Sequence, residues 1–304
     1  MASWSNTSAA ERAAWLNKIA DAIEQSKDKL VELSHSNNGK SLGQAQVDVD
    51  NSVKCYRYYA DLVQKFAFTK TSSTDHGTEL THQQNPVGVV ALITPWNFPL
   101  ITSAWKIAPA LAAGCTLVFK PSELVPLPEL EFMKLLNQMN FPQGVFNLVL
   151  GDAIAAEHLV RHPEIQKVSF TGSTEIGIQV MQAAATSVKR VTLELGGKSA
   201  FLVLADADID DAVEKAVGGM FYNAGQMCSA MSRVLVHPLA GVLSAYGMGL
   251  ADQSLIREQA VELRLTAEAM PFLVTPLKSL GDAARSALAK QALGDAIEMH
   301  ERVH

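Results

Sequence analysis

The stretch VGVVALITPWNFPLITSAWKIAPALAAGCTLVFKPSE, residues 87–123, decides the fold. Two short apolar runs, VGVVALI at 87–93 and TLVFK at 116–120, flank the helical pattern SAWKIAPALAAG at 103–114. Unbroken apolar runs of that length suit strands buried on both faces, and parallel neighbours need a crossover helix between them. The alternation continues through ELEFMKLLNQM (129–139), VFNLVL (145–150), AIAAEHLVRH (153–162) and KVSF (167–170). The predicted class is therefore α/β, a Rossmann-like, mostly parallel sheet with helices on both faces. Such sheets bind ligands beyond the carboxyl ends of their strands. The turns at 94–99, 120–123 and 171–177 are where chemistry is expected.

Upstream, apolar residues recur at helical spacing from Ser8 to about Phe66, with Leu16, Ile19, Ala20 and Ile23 on one face, then Leu30 and Leu33, and SNNG at 36–39 as the break. The Thr-rich TKTSSTDHGTELTHQQ before Pro86 suits an exposed hairpin, at about 67–84. The chain has 304 residues with a formal net charge of −6, which argues against a nucleic-acid partner or an anionic membrane surface. Its three cysteines form no CxxC pair and have no histidine at metal-ligand spacing, so neither a disulfide framework nor a metal site is expected. No signal peptide or apolar run of spanning length is visible, and a reducing cytoplasm is the expected compartment.

Each turn has a bland and a chemical reading. In TPWNFP, prolines bracket Trp96 and Asn97 and fix a non-helical backbone, which serves a turn as well as the presentation of an amide. Lys120 and Glu123 of KPSE are ordinarily solvated, yet the pair suits the vicinal hydroxyls of a ribose. Gly172 and Ser173 of FTGSTEIG (170–177) stand where a strand meets a helix, a place that can hold a phosphate, although the spacing is not GxGxxG. Glu194 sits in the apolar strand VTLELGG, where burial is expected to raise its pKa toward that of a general base. Cys228 lies in the small-residue loop FYNAGQMCSA, with Gly225 allowing close backbone approach. A lone cysteine is usually inert, but a thiol, a carboxylate, an oriented amide and a dinucleotide-like sheet on one chain make a constellation.

The segments LITPWNFPL, WKIAPALAAG, KPSE, FTGSTEIG, VTLELGGKS and GMFYNAGQMCSA, in that order from about residue 10 to His237, resemble the NAD(P)-dependent aldehyde dehydrogenase superfamily. GQMCSAMSRVLVH looks most like the betaine-aldehyde and aminoaldehyde members. The resemblance implies oxidation of a small aldehyde to its acid, with NAD favoured over NADP. It implies Cys228 as nucleophile passing through a thiohemiacetal and a thioester, with Asn97 and the Cys228 backbone N–H holding the oxyanion. It further implies Glu194 as activator of the hydrolytic water and Lys106 as proton relay. The cofactor contacts it implies are Ile93, Pro95, Trp96, Lys120, Ser122, Glu123, Phe170, Gly172, Ser173, Ile176 and Leu195. Ala153, in GDA, departs from the family, where a glycine is common. The expected domains are 1–195, dinucleotide-binding; 196–237, the start of a catalytic domain; and 238–304, an unrelated tail. Family members form homo-oligomers, and the hairpin resembles their subunit-contact strands.

After His237 the family's Glu-x-Phe-Gly-Pro segment and C-terminal strand are not found. AGVLSAYGMGLAD (240–252) instead resembles a fragment of the hydantoinase A and 5-oxoprolinase family. The tail is expected to be helical, the frame chimeric or truncated, and the strand around Leu202, Val203 and Leu204 to lack its sheet neighbours. Two alternatives follow: a catalytically inactive fragment that at most binds dinucleotide, and a relative of ATP-dependent amidohydrolases, which would need an actin-like core that residues 1–237 do not display.

Overall fold

Residues 2–237 and 261–264 are described by a computed structural model, in which the chain divides into two units, Met1–Gly196 and Gly197–His304. In the first, four helices, α1 (Ala2–Ser5), α2 (Ala9–Gln25), α3 (Lys27–Asn38) and α4 (Leu42–Lys65), precede a hairpin of β1 (Thr69–Ser73) and β2 (Glu79–Gln83). Capping boxes start α2 (Ser8 with Glu11) and α4 (Ser41 with Gln44). In each, the Ser hydroxyl and the acidic or amide side chain three residues on satisfy each other's free backbone N–H. Gly39, left-handed at φ 82°, ends α3 at the SNNG break.

The unit continues as β3 (Val89–Ile93), α5 (Pro99–Ala112), β4 (Thr116–Lys120), α6 (Leu127–Gln138), β5 (Phe146–Leu148), α7 (Ala153–Arg161), β6 (Ile165–Gly172), α8 (Thr174–Ala185) and β7 (Arg190–Leu195). The five strands form one sheet in the order β5-β4-β3-β6-β7, every pair parallel. Alternate residues of β3 explain the layers. Val90 and Leu92 enter a core with Leu16, Ile19, Tyr56, Ile107 and Phe132 from the helices of one face, while Ala91 and Ile93 join Val160, Val180 and Ala184 of α7 and α8 on the other. The chain leaves β3 toward β4 on one side and later returns to β6 on the other. The strand order thus reverses at β3, the position at which open α/β sheets form a ligand crevice.

The second unit holds β8 (Ala200–Val203), α9 (Ile209–Phe221), β9 (Arg233–Val236) and β10 (Val261–Arg264). Two expectations are corrected here. The strand at Leu202 and Val203 is not without neighbours: β8 pairs in parallel with β9, and β9 pairs antiparallel with β10. Val203 and Val234 are the buried centre of that pairing. The tail is not wholly helical either, since Val261–Arg264 is a strand, in keeping with its alternating sequence VELR. The rest of the tail, including the stretch that resembles hydantoinases, lies outside the described residues. Among the described residues no helix is long and apolar enough to cross a membrane.

Candidate active site

The carboxyl ends of the sheet gather most of the residues singled out from the sequence. Ile93 is in register with Lys120 on one side and Phe170 on the other, and Gly172 with Leu195. The turns Thr94–Phe98, Pro121–Glu123 and the Gly172–Ser173 junction therefore share one edge. Ile93, Lys120 and Phe170 are buried; Pro95 and Leu195 are half-buried, and the Trp96 and Ile176 side chains are 39% and 42% exposed.

A lysine at a strand end is ordinarily solvated, and this one is not. Lys120 is buried, its Nζ donating to the Pro121 carbonyl at 3.1 Å and to Glu123 Oε2 at 3.3 Å. The Lys120 side chain is 5% exposed from stem to head, whereas Glu123 beside it is 53% exposed. Ser122 Oγ accepts from the Leu124 N–H at 3.3 Å, tightening this turn. Ser173 caps α8, its Oγ accepting from the Ile176 N–H at 3.3 Å. A Cβ on Gly172 would lie 2.4 Å from the Phe170 ring, so only glycine leaves the bare backbone seen between strand and helix. Gly177 has the same cause, Leu195 Cδ2 standing 2.4 Å from where its Cβ would be. A dinucleotide fits this edge in chemistry. A helix N-terminus over bare backbone suits a pyrophosphate, Lys120 with Glu123 suits a ribose diol, and the Glu123 carboxylate opposes a 2′-phosphate.

The TPWNFP turn is braced from below by residues that sequence reading passed over. Asn38 Nδ2 donates to the Trp96 carbonyl at 2.8 Å. Lys40 Nζ stands 4.6 Å from the centre of the Phe98 ring and donates to Asp48 Oδ2 at 3.3 Å. Asp48 Oδ1 in turn accepts the Ile101 N–H at 3.2 Å, in the first turn of α5. Burial pushes the Asp48 carboxyl up and the Lys40 ammonium down, and each partly restores the other. The available signal was the polar SNNGK segment, visible only as a helix break.

Glu129, in the first turn of α6, is also buried and makes no hydrogen bond to another residue through either carboxyl oxygen. Burial, reinforced by Asp48, holds its pKa well above the ordinary range. The folded state then binds a proton that the unfolded state releases above about pH 4.3. Stability should accordingly fall as pH rises from there toward the raised value, by up to about 1.4 kcal/mol per pH unit. Urea titrations of Glu129→Gln and the wild type across pH 5–7 test this. The wild-type curve should slope downward relative to the variant, and parallel curves would refute it.

Lys106 points from α5 to β6, its Nζ donating to Ser169 Oγ at 3.0 Å in a buried setting. Burial lowers its pKa to about 8, against an opposing pull from Glu194. The expected burial of Glu194 itself is corrected. β7 is the edge strand of the sheet, alternating exposed with half-buried residues, and Glu194 is on the exposed set. An edge strand has a sheet neighbour on one side only, so its side chains are not enclosed like those of β3. Asn97 is half-buried at the turn's tip.

Cys228 belongs to the second unit, where it is exposed and free, in a tight turn closed by the Ala230 N–H on the Met227 carbonyl at 3.1 Å. A Cβ built on Gly197 would lie 3.5 Å from the Cys228 carbonyl oxygen, an ordinary contact. Ahead of the cysteine, Asn223, Ala224 and Gly225 have φ of 54°, 57° and 78° in succession. Asparagine and glycine tolerate this region and alanine does not, at about 1–2 kcal/mol. Ala224→Gly is therefore expected to stabilise the chain by about 1 kcal/mol, after allowing for the freer unfolded chain. A urea midpoint that falls instead would show that the left-handed turn is not held in solution. Among the described residues no cluster of His, Cys, Asp and Glu could hold a metal.

Comparison with known proteins places these features. The model of the aldehyde dehydrogenase family matches residues 1–240. The chain is 46% identical over 241 residues to a chloroplastic betaine aldehyde dehydrogenase of Beta vulgaris, covering 77% of this chain and 48% of that protein. It is 43% identical over 240 residues to the peroxisomal aminoaldehyde dehydrogenase 2 of Pisum sativum, covering 78% and 48%. Among solved structures, a point variant of betaine aldehyde dehydrogenase from Staphylococcus aureus, in complex with NAD+, superposes with a TM-score of 0.76 at 38% identity, covering 81% of this chain and 50% of that one. The chain spans about half the length of the curated relatives it matches.

Proposed function

The chain belongs to the aldehyde dehydrogenase family, and from that premise we propose that it oxidises an aldehyde to the carboxylic acid with NAD, using Cys228 as nucleophile. The observation that carries this reading is the convergence of Ile93–Asn97, Lys120–Glu123 and Phe170–Ser173 on one edge of the parallel sheet. Ile93, Pro95, Trp96, Lys120, Ser122, Glu123, Phe170, Gly172, Ser173, Ile176 and Leu195 would hold the dinucleotide, and Glu123 selects NAD against NADP. NAD, when bound, supplies a hydride acceptor.

The chain's own residues do the rest. The Cys228 thiolate attacks the aldehyde carbon, and the carbonyl electron pair moves onto oxygen, for which Asn97 is a hydrogen-bond donor. Once the carbon has lost hydride, Glu194, already in contact with solvent, takes a proton from the water that cleaves the thioester. Lys106, its pKa lowered by burial to about 8, passes protons on. Aldehydes bearing a quaternary or primary amine are the substrate class suggested by the relatives. Residues 1–195 are the dinucleotide-binding domain of this reading and 196–237 the start of the catalytic one. The exposed hairpin β1–β2 is its surface for self-association, and three free cysteines suit a reducing compartment such as the cytoplasm. No step of the reaction is assigned to the segment 238–304, likened in sequence to a hydantoinase A fragment.

The test is NADH formation by the purified chain with betaine aldehyde or a short aliphatic aldehyde, beside Cys228→Ala. Turnover that disappears in the variant supports the proposal. Equal turnover in both would sink the nucleophile assignment, and NAD binding with no NADH formed would leave a dinucleotide-binding role alone.

A further inference from the structure

We infer that Asn38, Lys40 and Asp48 are positioning residues for the Asn97 amide, an inference that rests on the reading of Asn97 as an oxyanion donor. Asn97 sits on the turn between β3 and α5, flanked by Trp96 and Phe98, and the aim of its side chain follows the backbone on either side. Thr102 of α5 holds the Phe98 carbonyl through its N–H at 3.1 Å and its hydroxyl at 2.7 Å, and the remaining supports come from one place. Asn38 ties the carbonyl of Trp96, directly before Asn97, at 2.8 Å. Lys40 lies 4.6 Å from the ring centre of Phe98, directly after it. Asp48 holds the Ile101 N–H at 3.2 Å and so anchors the start of α5, into which the turn runs. The Asp48 carboxylate is itself held at 3.3 Å by Lys40.

These three residues come from the end of α3, the loop after it and the second turn of α4, and all are buried. A buried amide and a buried ion pair are costly to place in a core unless each polar atom has a specific partner. Here Asn38 Nδ2, the Lys40 ammonium and Asp48 Oδ1 take theirs from the backbone and ring on both flanks of one catalytic candidate, while the buried Asn38 Oδ1 has no hydrogen-bond partner. Asn37 supports the same corner by accepting the Leu127 N–H at 3.0 Å, which joins the end of α3 to the start of α6. Asn38 is the sharpest handle, because it touches the turn through a single donor.

Two readouts separate this inference from the function on which it rests. If the wild type turns over aldehyde, Asn38→Ala should lower kcat about tenfold, since small misplacements of a donor are costly. The dissociation constant for NAD should change less than kcat does, because only Pro95 and Trp96 among its proposed contacts lie on the turn that Asn38 holds. In an Asn97→Ala background the same change should have no further effect. An unchanged kcat, or full additivity in the double variant, would overturn the inference. If the wild type does not turn over, the parent reading fails and the positioning claim is read without activity. With 5-fluorotryptophan in all four indoles, the 19F resonance of Trp96, assigned through Trp96→Phe, should shift or broaden in Asn38→Ala while those of Trp4 and Trp15 stay in place. A Trp96 resonance that does not move would overturn the inference. Asn38→Leu, which keeps nearly the volume and removes the donor, should reproduce Asn38→Ala in either readout, and wild-type behaviour in that variant would count against it.

Discussion

In urea, the Lys40→Met chain is expected to unfold with a loss of about 3–5 kcal/mol, the size associated with removing one partner of a buried ion pair. Methionine fills nearly the volume of the lysine stem, so a cavity is not the cause. The loss arises because the Asp48 carboxylate, whose side chain is 1% exposed, is left with no cation beside it. The buried Glu129 carboxyl stands in the same field. The loss should shrink as pH falls, since protonating Asp48 removes the stranded charge. The double variant Lys40→Met/Asp48→Asn should recover at least half of it, because the amide oxygen can still accept the Ile101 N–H while no charge remains. A loss below about 1 kcal/mol in the single variant, or none recovered in the double, would show that the pair does not hold the turn together in this way.

The parts of the fold that were legible are those governed by local period. The apolar runs 87–93 and 116–120 became β3 and β4 because both of their faces are covered, and the helical spacing of Leu16, Ile19, Ala20 and Ile23 became the buried stripe of α2. The same rule misread β7. VTLELGG is as apolar as an inner strand, but the order of strands leaves it at the edge, and order is not written in any one segment. Burial of Glu194 was inferred from its neighbours in sequence, whereas exposure is set by its neighbours in space.

The site was legible where a turn follows directly on a strand and illegible where a support comes from far away. Asn97, Lys120, Gly172 and Ser173 stand at strand ends that the alternation itself predicts. Asn38 meets Trp96 across 58 residues of sequence, and Asp48 meets Ile101 across 53. Nothing in the periodicity of α3 or α4 indicates which polar residues turn inward. Gly225 announced a tight loop near Cys228, but the left-handed run begins two residues earlier, at positions whose residue types do not demand it.

On the proposed reading of Asn97 as an oxyanion donor, the Asn97→Ala chain is expected to lose about 10²–10³ in kcat, or about 2.7–4 kcal/mol of transition-state stabilisation, as other enzymes do when one such donor is removed. The amide matters only once charge has moved onto the aldehyde oxygen, so the KM for aldehyde should change little. Iodoacetamide supplies the control. Its reaction with a thiolate displaces iodide at a saturated carbon and builds no oxyanion, so the rate of Cys228 alkylation should be the same in Asn97→Ala as in the wild type, within about twofold. A fall in both rates together would mean that Asn97 shapes the loop or the thiol rather than the transition state. A fall in neither would remove Asn97 from the chemistry. Asn97→Asp sharpens the contrast, because a carboxylate of nearly identical shape sets a negative charge against the one that develops. It should turn over no faster than the alanine variant, whereas a purely steric role for the side chain would let it turn over as fast as the wild type.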